Sequence, residues 1–187
     1  MTLAGYVSLG LILVVWLIVP RHLGGGRLLL FSALVLAGAL LYLTGRQFLI
    51  WQQGEITQFL LPPHQSISYF VYYSFTRFWR PYLVSGAVGL VALGLAVYFN
   101  KKYGERFFYQ DEPYYLALGV FLTGHPGWIL YLALLLAIYL LVASGYTLVA
   151  RKMPRISFYY FWLPLAVVTI LLDAWLLRFD WYSNFIV

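Results

Sequence analysis

The sequence predicts an all-α polytopic transmembrane helix bundle with six or seven membrane segments, and three observations carry that expectation. The 187 residues are 63% hydrophobic and only 10% charged, against about 25% charged in an ordinary soluble domain. Apolar runs close to bilayer-crossing length recur along the whole chain. Tyrosine (17), phenylalanine (14) and tryptophan (7) are abundant enough to form aromatic belts at both membrane surfaces. No soluble domain, low-complexity tract or clear repeat separates the runs, so residues 1–187 read as a single integral membrane domain.

Leu3 to Val19 is the first expected span, closed by Pro20-Arg21 and the Gly24-Gly25-Gly26 connection. Met1 to Pro20 lacks the basic start and small-residue cleavage site of a signal peptide, so it is expected to stay as a helix. Leu28 to Thr44 is the second span, with an extension past Arg46 to Trp51 open to it. Tyr82 to Phe99, Trp128 to Ala150 and Phe158 to Leu177 follow as further spans. Small residues punctuate them, at Ser85, Gly86, Gly89 and Gly94, at Ala33 and Ala37, and at Ala133 and Ala137. Such residues let helices approach closely, so the faces around Gly86 and Ala133 are expected in the core.

Two regions leave alternatives open. Ile56 to Thr76 carries no formal charge but holds Pro62-Pro63, His64 and many aromatics. It reads either as a short crossing helix or as an aromatic helix in the interface. Pro113 to Gly124 would be about 18 Å long as a helix. It is expected to turn back at His125-Pro126-Gly127 and form a hairpin with the following span.

Charge arbitrates between the alternatives. If 56–76 does not cross, Arg21, Arg27, Lys101, Lys102, Arg106, Arg151, Lys152 and Arg155 share one side. Arg46, Arg77, Arg80 and Arg178 then lie opposite, eight basic residues against four. If 56–76 does cross, the split is seven to five. Either way loops 101–106 and 151–155 are expected in the cytoplasm, in a multi-pass protein of the cell membrane.

Several chemistries are excluded or left without a signature. The chain has no cysteine, hence no disulfide, thiolate ligand or cysteine nucleophile. His22, His64 and His125 fall in three separate turns without metal-ligand spacing, so no metal is expected. No phosphate loop or dinucleotide fingerprint occurs, and no cofactor is implied. The net charge of +6 fits basic loops facing anionic lipid rather than nucleic acid, for which there is no Lys/Arg tract.

Only six residues are acidic, and half of them, Glu105, Asp111 and Glu112, precede the short 113–124 run. Glu105 beside Lys101, Lys102 and Arg106 reads as a solvated loop charge. Asp111-Glu112-Pro113 reads either as a helix start, where carboxylates meet free N–H groups, or as a carboxylate poised for acid–base work. The second reading needs a partner carboxylate sharing one water and one proton; the candidates are Glu55, Asp173 and Asp180. Asp173 lies inside the last span, where charge is a functional hint, although a pairing with Arg178 also explains it.

Glu55 opens "EITQFLLP", ending at Pro62, and "YQDEPYYLALGVFLTGHPGW" carries Asp111, Glu112, Gly119 and Gly124-His125-Pro126. With "RKMPRISFYYFWLPLA" downstream, these stretches resemble the prepilin peptidases, the GxGD-type intramembrane aspartyl proteases. In that family a first Asp precedes a Pro by about seven residues, and a second Asp follows a Gly-x-Gly. The resemblance covers roughly residues 28–177. It implies Glu55 and one of Asp111 or Glu112 as a catalytic pair, with a pilin-like precursor peptide as substrate. Glu55 stands in place of the first Asp, and the glycines before Asp111 are absent, so a divergent or inactive member is implied as well. Two readings of other classes stay open: a non-catalytic membrane scaffold or subunit of a larger envelope complex with membrane-protein partners, and, with less support, a small transporter.

Overall fold

A computed structural model describes residues 3–18, 24–109, 111–150, 161–179 and 182. Its elements are α1 (Leu3–Ile18), α2 (Gly25–Gln53), a 3-10 turn (Thr57–Leu60), α3 (Ile67–Ser74), a π turn (Phe75–Trp79), α4 (Arg80–Lys102), α5 (Glu112–Thr123), α6 (Gly127–Ala150) and α7 (Trp162–Leu176). No strand occurs among the described residues. Three helices are long and apolar enough to cross a membrane: Gly25–Gln53, Ile67–Lys102 and Gly127–Leu148. The helices 5–14 and 162–176 are apolar but shorter.

The second helix runs beyond Thr44 and Arg46 to Gln53. Its 29 residues make a rod of about 43 Å, longer than a hydrocarbon core of about 30 Å. The aromatic segment after it is not a separate helix. Residues 67–74 pass through the π turn directly into α4, giving one 36-residue helix. Pro81 in the first turn of α4 brings no N–H to the preceding turn, and a π turn is one way a helix absorbs such a misfit.

This long helix lies antiparallel to α2. The Trp79 indole donates to Thr44 Oγ1 at 3.2 Å, and further along Trp51 meets the rings of Phe70 and Tyr73 at 5.4 and 4.9 Å. Trp51, Leu61 and Phe70 form a small core of their own, with Phe48, Leu60 and Tyr73 packed on it. It lies beyond the level of Arg46, Arg77 and Arg80.

The fifth helix is the centre of the molecule. Nine of its 12 residues are buried, and α1, α2, α4, α6 and α7 all pack on it. Against α4 it runs antiparallel in step. Ser85 Oγ donates to the Phe121 carbonyl at 2.9 Å, and the His125 amide donates to the Pro81 carbonyl at 3.0 Å. One turn beyond Ser85, a Cβ on Gly89 would come within 2.9 Å of the Ala117 carbonyl oxygen. The hairpin about 125–127 expected from the sequence is present. Gly124 takes φ +69° to leave α5, a conformation that glycine adopts without strain, and the Trp128 amide bonds back to the Gly124 carbonyl at 2.9 Å. Gly119 then receives the Tyr131 side chain of α6, whose hydroxyl donates to the Trp162 carbonyl of α7 at 3.3 Å.

One expected core face is corrected. Ala133 and Ala137 are exposed, because α6 meets the bundle through Trp128, Tyr131 and the partly buried Leu132, Leu134, Leu135 and Ile138. Only 11% of its apolar window is buried. The Gly86 side does face the core: Ser85 and Gly89 are buried and Gly86 lies under Phe121.

Candidate functional site

Asp111 and Glu112 stand where α5 starts, and each accepts a backbone amide near that start. Asp111 Oδ1 accepts the Gly25 amide at 3.4 Å, at the first residue of α2. Glu112 is 1% exposed, and its Oε2 accepts the Tyr109 amide at 3.0 Å. Carboxylates at this position complement the helix dipole and satisfy amides with no helical acceptor. Gly25 permits the approach, since a Cβ there would come within 2.7 Å of Tyr114 Cβ. The link from α4 is held by Asn100, whose Oδ1 accepts the Phe107 and Phe108 amides at 3.1 and 3.0 Å. Its Nδ2 donates to the Phe108 carbonyl at 2.9 Å.

Glu55 is not brought to this place. It is exposed, in the turn that follows Gln53, and its backbone carbonyl accepts Gln58 Nε2 at 3.0 Å. Asp111 touches residue 25 and Glu55 follows residue 53, so the whole of α2, about 40 Å, lies between them. A general acid and base sharing one water need a separation of roughly 7 Å or less. The expected pairing of Glu55 with Asp111 or Glu112 is therefore corrected: α2 is one unbroken helix, with no hinge that closes the gap. The physical reason is that α2 continues past Arg46, which carries Glu55 to the opposite end of the bundle.

Asp173, marked in the sequence, has a partner there that the sequence did not announce. Tyr182 donates to Asp173 Oδ1 at 2.6 Å, and a Cβ on Gly127 would lie 4.0 Å from the Asp173 carboxyl carbon. Nearby, Ser8 Oγ, fully buried on α1, bonds to Tyr82 OH of α4 at 3.2 Å. Burial first, then the hydrogen bond and charge of Asp173, hold the Tyr182 phenol well above the usual tyrosine range. The expected Asp173–Arg178 pairing is absent; the acceptor role goes to Tyr182 instead. Asp180 and His22 lie outside the described residues. Glu105 is exposed and sits at φ 56° just after α4.

His64 is exposed and packs edge-on to Phe59. His125 accepts the Trp128 indole N–H on Nδ1 at 3.1 Å, so it is a turn residue whose Nδ1 is occupied. Among the described residues no three His, Asp or Glu side chains gather to hold a metal ion. Asn100 and Tyr182 are the functional neighbours missed in the sequence. Asn100 sits where a span gives way to Lys101-Lys102, a position that reads only as a membrane boundary.

The two carboxylates at α5 should respond differently to substitution. Asp111→Asn keeps an oxygen for the Gly25 amide and is expected to change stability by less than about 1 kcal/mol. Glu112→Ala strips the acceptor from the part-buried Tyr109 amide and empties a buried position, at an expected cost of about 1–3 kcal/mol. Thermal unfolding of the two purified variants checks the contrast.

Comparison of the chain with protein-family models, with curated proteins and with solved structures returns no match.

Proposed function

We propose that the chain is a multi-pass protein of the cell membrane, with α1, α2, the joined α3–α4, α5, α6 and α7 as six crossing segments. We propose further that it serves as a non-catalytic scaffold or subunit of a larger membrane complex. The observation that carries the second part is the use of the acidic residues. Asp111 accepts the first amide of α2 and Glu112 the Tyr109 amide just before the central helix, while Glu55 is at the far end of α2. Glu55 therefore pairs with neither Asp111 nor Glu112 at the spacing that shared-water peptide hydrolysis needs. The exposed length of α6, with Leu136, Leu140, Leu141 and Leu148 outward, supports contact with lipid or a partner helix.

The topology reading rests on which basic residues share an end. Arg27, Lys101, Lys102 and Arg106 belong to one end, and Arg46, Arg77, Arg80 and Arg178 to the other. The described basic residues divide four to four; Arg21, Arg151, Lys152 and Arg155 lie outside the described residues, and counting them with the first end, as the sequence reading does, gives the eight-to-four bias that supports a cytoplasmic 101–106 end. The natural absence of cysteine makes single-cysteine labelling clean. Gly104→Cys is expected to react from the cytoplasmic side and His64→Cys from the other; labelling of both from one side overturns the topology.

Affinity purification in mild detergent is expected to return a stoichiometric membrane partner. Cleavage of a pilin-like precursor that is abolished by Asp111→Asn or Glu112→Gln would overturn the non-catalytic reading and restore a protease.

A further inference from the structure

The Lys101 end of α4 carries a group of aromatic rings that are not packed inward. Phe99, Tyr103 and Phe107 form a ladder, with ring centroids 6.4 Å apart in the first step and 5.5 Å in the second. Tyr98 meets Phe99 edge-on at 5.4 Å. Tyr98, Phe99, Tyr103 and Phe107 are 58%, 42%, 49% and 54% exposed. Lys102 Nζ lies 5.8 Å from the ring centroids of both Tyr98 and Tyr103. Lys101 and Arg106, next to Lys102 and Phe107 in the chain, are exposed as well.

Height selects what meets these rings. No charged residue lies between Arg80 and Lys101, and the helix between them is about 31 Å long, one hydrocarbon core. Lys101 therefore stands at the edge of that core, where a headgroup layer about 5–8 Å deep begins. The link after α4 does not climb out of this layer. Gly104 at φ +66° and Glu105 at φ 56° reverse the chain, and the Glu105 amide returns to the Asn100 carbonyl at 2.7 Å. The Asn100 side chain then holds the Phe107 and Phe108 amides, which pins them at the level of Asn100. The Phe107 ring turns outward onto Tyr103, while Phe108 turns inward to Trp162 at 6.2 Å. A soluble partner would have to reach down among the headgroups to meet such a surface, whereas lipid is already there. Charge then selects among lipids. The patch sets three cations against one carboxylate, Glu105, and the surplus favours an anionic surface.

We propose that the 98–107 patch docks onto anionic phospholipid headgroups, with its rings among the headgroups and Lys101, Lys102 and Arg106 on their phosphates. The inference rests on the membrane reading given above and adds a lipid class and a binding surface to it.

The test places the full chain in lipid nanodiscs of phosphatidylcholine alone, or of equal parts phosphatidylcholine and phosphatidylglycerol. Cleavage of the 103–109 link by proteinase K is timed against cleavage of the exposed 54–66 turn at the other end of the bundle. In the mixed discs the link is expected to be cut about twentyfold more slowly, the effect of two surplus cations near an anionic surface. The triple variant Lys101→Gln, Lys102→Gln, Arg106→Gln is expected to abolish that difference. The double variant Tyr103→Ser, Phe107→Ser is expected to lose most of the protection. Both variants change exposed side chains only, and an unfolding temperature like that of the parent confirms that each is folded.

Protection that survives in either variant overturns the proposal. So does protection in phosphatidylcholine discs by soluble glycerol phosphate, which would make the patch a site for a free anion. A chain that co-elutes with the discs but is cut equally fast in both lipids refutes the lipid surface alone. A chain that fails to co-elute with them refutes the membrane reading together with it.

Discussion

Replacing Gly89 with leucine is expected to destabilise the protein by about 3 kcal/mol, at the upper end of ordinary overpacking costs, and to lower its unfolding temperature by roughly 10 °C. The reason is local and specific. Gly89 is buried, and a Cβ there meets the Ala117 backbone oxygen at 2.9 Å. A backbone carbonyl cannot rotate away as a side chain can, so α4 and α5 must separate. Their separation also strains the Ser85–Phe121 and His125–Pro81 hydrogen bonds that hold the same register. Gly94→Leu is the control on the same helix, because nothing lies within 4 Å of a Cβ at that position. It is expected to be neutral or slightly stabilising, since leucine has the better helix propensity by somewhat less than about 1 kcal/mol. Differential scanning fluorimetry in one detergent measures both. Equal unfolding temperatures for the two variants would remove the α4–α5 contact from the account of stability.

Asn100→Ala is the second large effect. The side chain makes three hydrogen bonds to the backbone of residues 107–108, and Asn100 itself is 9% exposed. Alanine leaves those groups to find water or go unpaired, at about 1–3 kcal/mol for each that stays buried. A total loss on the order of 3 kcal/mol is expected, because solvent near the α4 end rescues part of it. Proteolysis offers an independent readout. The 103–109 link should become cleavable at Lys101, Lys102 or Arg106 by trypsin in detergent solution, at concentrations that leave the parent chain intact. Asn100→Asp retains both acceptor bonds and loses only the donor to Phe108, so it should fall between alanine and the parent.

The uncharged centres of the membrane-length helices, 28–44, 82–99 and 128–150, were legible because each is a continuous apolar run. The hairpin about His125-Pro126 was legible because Gly124 and Pro126 are strong local punctuation after a run too short to cross by itself. Where helices continued through apparent punctuation, the sequence misled. Arg46 and Pro81 both look like boundaries, yet α2 passes the first. Pro81 lies in the first turn after a π segment, where its missing N–H does least harm.

The fate of Glu55 followed from that single extension, since a helix carries every residue beyond it 1.5 Å further per position. Spacing along the chain matched a family pattern at Glu55 and Pro62, but spacing within one segment says nothing of the distance between two segments. The outward turn of Ala133 was equally hidden. Small residues mark where a helix can approach a neighbour, and they do not say that a neighbour is there.

The burial of α5 bears on how such a chain is made. At 12 residues it is too short to sit across a bilayer by itself, which takes about 20, and it begins with a buried carboxylate. While it leaves the ribosome, the helices before it already exist, but Tyr131 and Trp162, which close its other side, have yet to be synthesised. A biogenesis machine that releases one segment at a time into lipid would strand it. The α5–α6 pair must therefore be handed over together, with α6 supplying the hydrophobic length for both. A ribosome-bound chain ending soon after Gly127 should leave α5 extractable by alkaline carbonate or open to protease, and the same segment should become protected once α6 and α7 have emerged.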